Sequence, residues 1–169
     1  MSKQIGIFYG SSTCYTEMVA EKIHAKISSA RSDLYNIANT SIQKCLEYPY
    51  LLFGIPTWDY GELQEDWENI WDEISTLDLN GKTIAIFGLG DQLGYPDWFQ
   101  DAMGYLYHLV RSRGAVVIGF WENEGYDYKE SKALTVDGKH FVGLALDDEN
   151  QAELTDERID EWLEILRLG

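Results

Sequence analysis

Hydroxyl side chains cluster where the first predicted strand gives way to a helix. The apolar strand Ile5–Tyr9 is followed by a polar loop and then by apolar residues at helical spacing. The first turn of a helix carries unpaired backbone N–H groups at the positive end of its dipole, and both features suit a phosphate. The predicted phosphate loop consists of Ser11, Ser12, Thr13, Cys14, Tyr15 and Thr16. An ordinary Ser/Thr helix cap is the alternative.

The loop lacks the lysine of a nucleotide-hydrolysing P-loop. It contains no Gly-Lys-Ser/Thr, and no Lys or Arg lies between Lys3 and Lys22. A phosphate bound here would therefore be held by backbone amides and hydroxyls rather than by a cation.

Composition restricts the number of domains, the binding partners and the cellular location that we expect. The 169 residues are 45% hydrophobic, which predicts a single domain over residues 1–169. The formal net charge of −16 opposes binding to nucleic acid or to an anionic membrane, and it favours basic protein partners or simply solubility. Because the sequence shows neither a signal peptide nor an apolar run of membrane length, we expect a cytoplasmic protein.

Cysteine and histidine give no sign of a metal site or of nucleophilic catalysis. Cys14 and Cys45 do not form a disulfide framework, and His24, His108 and His140 are scattered. We therefore expect no metal and no catalytic residue.

Strands and helices alternate along the chain. The strand candidates are Gln4–Tyr9, Asp33–Ile37, Tyr50–Ile55, Thr83–Gly88 and Ala115–Trp121. Helical stripes run from Leu63 to Ile74, from Trp98 to Val110 with Gly114 as the stop, and onward from Thr155. Five βα units predict an α/β fold with a doubly wound parallel sheet, whose ligands bind beyond the C-terminal strand ends.

Two further loops carry aromatic rings to that edge of the sheet. One follows the third strand and contains Trp58, and the other follows the fourth strand and contains Tyr95. Rings on opposing loops can enclose a flat ligand, and the neighbouring glycines allow the backbone to approach it. The alternative is that Trp58 and Tyr95 fold inward as core residues.

The chain resembles flavodoxins of the long-chain bacterial type over its full length. The resemblance is carried by Gly10–Glu17, Gly54–Trp58, Gly61–Gln64 and Gly88–Tyr95. It implies a five-stranded parallel sheet of order 2-1-3-4-5 with a long insertion in the last strand. It also implies a monomeric, low-potential one-electron carrier with non-covalent FMN and no substrate turnover. The implied partners are basic-surfaced redox proteins such as an NADPH-dependent flavodoxin reductase.

The resemblance assigns roles to the three loops. Ser11 to Thr16 would hold the phosphate, Trp58 and Tyr95 would cover the two ring faces, and Asp147 would reach the ribityl chain. A backbone carbonyl near Asp59–Gly61 would turn to accept a hydrogen bond from flavin N5–H. The remaining expected contacts are Pro56, Thr57, Asp59, Tyr60, Gly61, Leu89, Gly90 and Asp91.

Two segments need separate interpretation. Cys14-Tyr15 replaces a Gly and a small or polar residue of the family pattern, so Cys14 must adopt a glycine-like conformation despite its β-carbon. Glu122–Gly143 is similar to the long-chain insertion, after which Phe141–Leu146 resumes the edge strand. Its role is either partner recognition or none, as a tolerated loop.

Acidic residues dominate the segment after the second loop. From Thr57 to Glu73 there are seven Asp or Glu and no Lys or Arg. Their repulsion would make the second electron harder to add to the flavin.

Two other classes of protein compete with this interpretation. A flavin enzyme such as a quinone reductase needs one open flavin face and usually a basic or histidine residue. A receiver domain needs acids after the first strand and a lysine after the fifth, where this chain has Ser11–Thr13 and Trp121-Glu122.

Overall fold

A parallel sheet between two layers of helices organises the computed structural model, which describes residues 4–27 and 31–169. The strands are β1 Ile5–Tyr9, β2 Ser32–Asn36, β3 Tyr50–Trp58, β4 Glu62–Leu63, β5 Thr83–Leu89, β6 Val116–Ile118, β7 Trp121–Glu122, β8 His140–Phe141 and β9 Leu144–Leu146. The α-helices are α1 Tyr15–Ile27, α2 Glu65–Ile74, α3 Asp101–Ser112 and α4 Thr155–Ile165. Ile42–Glu47 and Ala152–Leu154 form short 3-10 helices.

The main path of the sheet runs β2-β1-β3-β5-β6. Counted over the parallel strands alone, this is the predicted order 2-1-3-4-5. The small strand β4 is antiparallel and pairs with the end of β3, at Thr57 and Trp58. This pairing explains why β3 reaches Trp58, three residues beyond the predicted end at Ile55.

Two separate strands share the position beside β5. Thr83–Ala85 pairs with β6, and Phe87–Leu89 pairs with β9, so residues 119–143 lie between two halves of one edge. The predicted strand Ala115–Trp121 is too long. The chain turns at Gly119, which has a φ of +80°, and Trp121 pairs with Phe141 in the hairpin of β7 and β8.

The central strands are buried on both faces, as near-continuous apolar runs predict. Helices cover those faces with the apolar stripes seen in the sequence, including Ile23 of α1, Trp67 of α2 and Trp162 of α4, all with no exposed surface. Two predicted helix starts are wrong, because Leu63 belongs to β4 and Trp98 precedes α3. Gly114 follows α3 with a φ of +101°, as the predicted stop requires. In the described ranges, no helix has the length and apolarity needed to cross a bilayer.

Candidate functional site

Three loops meet at the C-terminal ends of β1, β3 and β5, around a cavity of about 220 Å³. This edge contains the switch between β1 and β3, where ligands of doubly wound sheets bind. The lining residues are Thr13, Tyr15, Thr16, Pro56, Thr57, Trp58, Asp59, Leu89, Gly90, Asp91, Tyr95, Asp148 and Glu149.

The loop after β1 presents donors that have no acceptor. In the described ranges, no protein acceptor pairs with the backbone N–H groups from Ser11 to Glu17. The α1 ladder starts only at Met18, whose N–H donates to the Cys14 carbonyl at 2.9 Å. The Ser11 hydroxyl is also buried without a partner. Such donors at a helix N-terminus fit an anion with several oxygens.

Cys14 supplies the bend from which α1 begins. Its φ is +71°, so this residue adopts the glycine-like conformation expected from the sequence. A β-carbon in that conformation costs on the order of 1–2 kcal/mol. The thiol is exposed, whereas that of Cys45 is buried, and burial raises the pKa of Cys45 to about 11.

Helix α2 is tied to the same loop. The side chain of Gln64, just before α2, donates to the Ser12 hydroxyl at 2.9 Å. Trp67 of α2 donates its indole N–H to the Gly54 carbonyl of β3 at 2.9 Å. Acidic residues in the first turn of α2, of which Glu65 and Glu68 are exposed, suit its dipole and stabilise the helix.

The second loop is the hairpin turn between β3 and β4. Asp59 and Gly61 have φ angles of +42° and +84°, which turn the chain sharply after Trp58. Tyr60 is 66% exposed, and its ring meets Trp98 edge-on at a centroid distance of 4.9 Å. Trp58 is only partly buried and lines the cavity.

The third loop places Tyr95 on the cavity wall. A turn forms because Tyr95 N–H donates to the Asp91 carbonyl at 3.0 Å and Gly94 N–H donates to Asp91 Oδ1 at 2.7 Å. The Asp59 carboxylate lies close enough to raise the pKa of the Tyr95 hydroxyl. Like Trp58, Tyr95 is partly buried, so neither ring belongs to the core.

Asp147 is buried and does not line the cavity. It has no exposed surface, and its carboxylate accepts from Gln92 N at 3.0 Å and Gln92 Nε2 at 2.8 Å. Asn150 and the backbone N–H of Glu149 donate to its other oxygen. The expected contact of Asp147 with the ribityl chain therefore meets a carboxylate already satisfied by the protein. Asp148 and Glu149 line the cavity there instead.

Gln92 is a buried residue that the sequence did not single out. Besides its bonds to Asp147, its Oε1 accepts from the backbone N–H of Asp127 at 2.5 Å. The carbonyl of Pro96 also accepts from the N–H groups of Lys129 and Glu130, at 2.8 and 3.0 Å. Asp127, Lys129 and Glu130 in the middle of the 119–143 segment are thus bonded to the Tyr95 loop on either side of Tyr95. No local sequence pattern indicates these contacts.

The remaining predicted residues flank the cavity without lining it. Ser11, Ser12 and Cys14 belong to the same loop as Thr13, and Tyr60 and Gly61 continue the turn after Asp59. The run Asp147-Asp148-Glu149 at the end of β9 was the available signal for the two missed carboxylates.

The cavity is lined by carboxylates without a compensating cation. Asp59, Asp91, Asp148 and Glu149 contribute to the wall, whereas no Lys, Arg or His does so among the described residues. In that same part of the chain, no group of three or more His, Cys, Asp or Glu is arranged to hold a metal ion. The site therefore offers neutral donors at one end and aromatic rings with negative charge at the other.

Known proteins share both this sequence and this fold. The family model described as flavodoxin matches residues 7–162. Flavodoxin 2 of Escherichia coli K12 is 51% identical over 160 residues, covering 95% of this chain and 92% of its own length. A Nostoc flavodoxin is 47% identical over 167 residues, covering 99% and 97%. A Fusobacterium nucleatum flavodoxin, solved bound to flavin mononucleotide, is 31% identical with a TM-score of 0.92, covering 98% of each chain. The chain belongs to the flavodoxin family.

Proposed function

We propose that this protein is a low-potential one-electron carrier that binds one FMN non-covalently in the cavity between the three loops. FMN supplies the redox chemistry, and the protein binds, orients and shields it. The observation that carries the proposal is a row of unpaired donors in the loop whose residues Thr13, Tyr15 and Thr16 line the same cavity as Trp58 and Tyr95. Flavodoxins are themselves an established example of ligand binding at this switch point.

The phosphate of FMN would be held by the loop from Ser11 to Thr16. The unpaired backbone N–H groups and the buried Ser11 hydroxyl would gain the acceptors that they lack in the protein alone. Satisfying these groups relieves a desolvation cost, which contributes to affinity without any cation.

The flavin ring would lie between Trp58 and Tyr95. Each ring lines the cavity from a different loop, and each keeps part of its surface exposed. Stacking on both faces would exclude water and leave one ring edge accessible. Pro56, Thr57, Asp59, Leu89, Gly90 and Asp91 complete the proposed contacts, with Tyr60 and Gly61 at the turn. We include Asp147 only as the support of this wall.

The arrangement supports electron transfer rather than substrate turnover. A hydride-transferring flavin enzyme needs room for a substrate and usually a basic or histidine residue, and the described cavity wall has neither Lys, Arg nor His. The family is one of electron carriers, which agrees with this chemistry.

The partners that we propose are redox proteins with basic surfaces, such as an NADPH-dependent flavodoxin reductase. We propose that the protein is a monomer and meets these partners in the cytoplasm. The negative charge around the cavity supports this choice, because opposite charges steer encounter.

The experiment that tests the function is the absorption spectrum of the purified protein. We expect a yellow protein that releases FMN on denaturation in a 1:1 ratio and reduces in two one-electron steps. Colourless protein that cannot be reconstituted with FMN would end the proposal.

A further inference from the structure

A buried carboxylate next to the β3–β4 turn has an oxygen without a hydrogen-bond partner. Asp101, the first residue of α3, is 1% exposed. Its Oδ1 accepts from the backbone N–H of Lys132 at 2.8 Å. Its Oδ2 is buried and finds no donor in the described ranges. An unpaired buried acceptor costs on the order of 1–3 kcal/mol, so its presence calls for a physical explanation.

The unpaired oxygen lies against Gly61. A Cβ atom placed on Gly61 would be 2.8 Å from Asp101 Oδ2 and 3.2 Å from Trp98 Cδ1. Only the absence of a β-carbon allows this approach. Thr57, just before the turn, accepts a hydrogen bond from Ala102 N at 3.0 Å. The first turn of α3 therefore supports both the end of β3 and the turn that follows it.

The turn has one side toward the cavity and another toward α3. Asp59 lines the cavity, whereas Gly61 is buried beside Asp101. In a planar trans peptide, the C=O and the N–H point in opposite directions. A carbonyl of this turn that is directed into the cavity therefore directs the N–H of the same peptide away from the cavity. Asp101 Oδ2, which has no donor, lies against Gly61 on the other side of the turn.

We propose that Asp101 is a positioning residue of the FMN site: its Oδ2 accepts a hydrogen bond from a backbone N–H of the Asp59–Gly61 turn when a carbonyl of that turn faces the cofactor. This inference rests on the proposed function and extends it to a residue outside the cavity wall. Asp101 never touches the flavin and acts through the backbone of the turn.

The charge environment of Asp101 agrees with this role. Burial raises the pKa of Asp101, whereas the backbone N–H and the ammonium group of Lys132 lower it. The nearby Glu130 carboxylate raises it further. A donor from the turn would offset part of the cost of burial, so the carboxylate favours the conformation that supplies one.

The test is the pair of one-electron midpoint potentials of the FMN-loaded Asp101→Asn variant. Asparagine retains an acceptor for Lys132 but replaces Oδ2 with an amide nitrogen that cannot accept. We expect the bound FMN to accept its first electron about tenfold less favourably than in the wild type. The midpoint potential of that first reduction should therefore fall by about 59 mV. Asp97→Asn is the matched control, because Asp97 is a partly exposed carboxylate in the same segment. It should leave the first potential unchanged.

A second variant keeps the carboxylate and fills the space in front of it. Gly61→Ala places a methyl group against Oδ2 at a φ of +84°, where a β-carbon also strains the turn, so it should lower the first potential at least as much as Asp101→Asn does. Adding Asp101→Asn to Gly61→Ala should then have little further effect, because both changes remove one contact. Full additivity of the two shifts would overturn the inference.

Two more outcomes separate this inference from the function on which it rests. If Asp101 acts only through its charge, its neutralisation raises both potentials, and that result overturns the positioning role. An unchanged first potential in Asp101→Asn does the same while leaving the carrier function intact. Failure of the wild-type chain to take up FMN would instead overturn the proposed function, and the role of Asp101 with it.

Discussion

At the scale of single residues, the phosphate loop combines an unusual backbone with unusually free donors. Cys14 has a positive φ, and the N–H groups around it have no acceptor in the part of the chain that the structure describes. The strain and the missing hydrogen bonds lie within a few residues of each other. Both costs are expected at a binding site, where the ligand supplies what the protein lacks.

Thr13→Ala should separate phosphate binding from ring binding. Thr13 is exposed on the cavity wall, and a hydrogen bond to a charged phosphate contributes about 1.5–3 kcal/mol, or roughly ten- to a hundredfold in affinity. The variant should bind FMN more weakly by that factor and bind riboflavin as the wild type does. Titration of the apoprotein with FMN and with riboflavin measures the two affinities. Thr76→Ala, beyond the far end of α2, is the control. Equal losses for the two flavins would show that the loop is a structural turn.

Cys14→Gly should stabilise the apoprotein. Removing the β-carbon relieves about 1–2 kcal/mol of left-handed strain, and the greater freedom of glycine in the unfolded chain offsets about 0.5–1 kcal/mol of it. The free energy of unfolding should rise by roughly 0.5–1 kcal/mol in denaturant titrations. Cys14→Ala keeps the β-carbon and should remain near the wild type. A less stable glycine variant would mean that the thiol itself packs favourably.

At the scale of elements, the loop after β5 is held by buried polar groups rather than by its own turn alone. Gln92 joins this loop to the end of β9 through Asp147 and to the 119–143 segment through Asp127. That segment therefore has structural contacts with the loop that carries Tyr95. The rings of Tyr126, Tyr128 and Phe141 in this segment pack around Phe99, which anchors the segment beside α3.

Gln92→Leu should weaken FMN and riboflavin alike. The change leaves the backbone N–H of Asp127 without its acceptor and removes the side-chain Nε2 donor from Asp147, while the backbone N–H of residue 92 still donates to it. Each unpaired group costs about 1–3 kcal/mol. Tyr95 then loses its fixed position, so we expect both dissociation constants to rise at least about tenfold. Flavin fluorescence titration measures them. Gln43→Leu, on the exposed face of a 3-10 helix, should have no effect. A riboflavin affinity that survives Gln92→Leu would contradict the role of this hydrogen-bond network.

At the scale of the whole molecule, part of the net charge of −16 lies around the cavity in which we propose that FMN binds. Four carboxylates line the cavity wall, and Glu62 and Glu65 are exposed on the adjoining strand and helix. This distribution both repels added negative charge on the cofactor and attracts a basic protein.

The rate of electron transfer from a basic reductase should therefore depend on salt. At about 0.1 M ionic strength the Debye length is about 10 Å, so raising salt toward 0.5 M should slow association at least about tenfold. Glu62→Gln with Glu65→Gln should reduce that slope and raise the second midpoint potential, as stopped-flow kinetics and potentiometry would show. Glu161→Gln with Glu164→Gln on α4 makes the same change in charge away from the cavity and serves as the control. A rate independent of salt would leave the charge a role in solubility only.

The sequence by itself determined the α/β class and the approximate positions of the strands, helices and connecting loops, whereas the sheet order came from the family resemblance. Apolar runs and helical stripes predict which residues are buried, because the period of a helix or strand sets the face on which each residue lies. The phosphate loop could be read in the same way, since a helix N-terminus exposes its donors whatever surrounds it. The family resemblance then assigned the ligand, and the comparisons confirmed the family.

Only the tertiary structure decided which polar residues face the cavity and which support it. Asp147 and Asp148 are adjacent in sequence, yet the first is bonded to Gln92 and the second lines the wall. The partners of Gln92 and Asp101 lie 31 to 55 residues away, and no local periodicity encodes such contacts. The physical reason is that a buried polar group must find a partner wherever the packed chain places one, and that place exists only once the sheet and its loops have assembled.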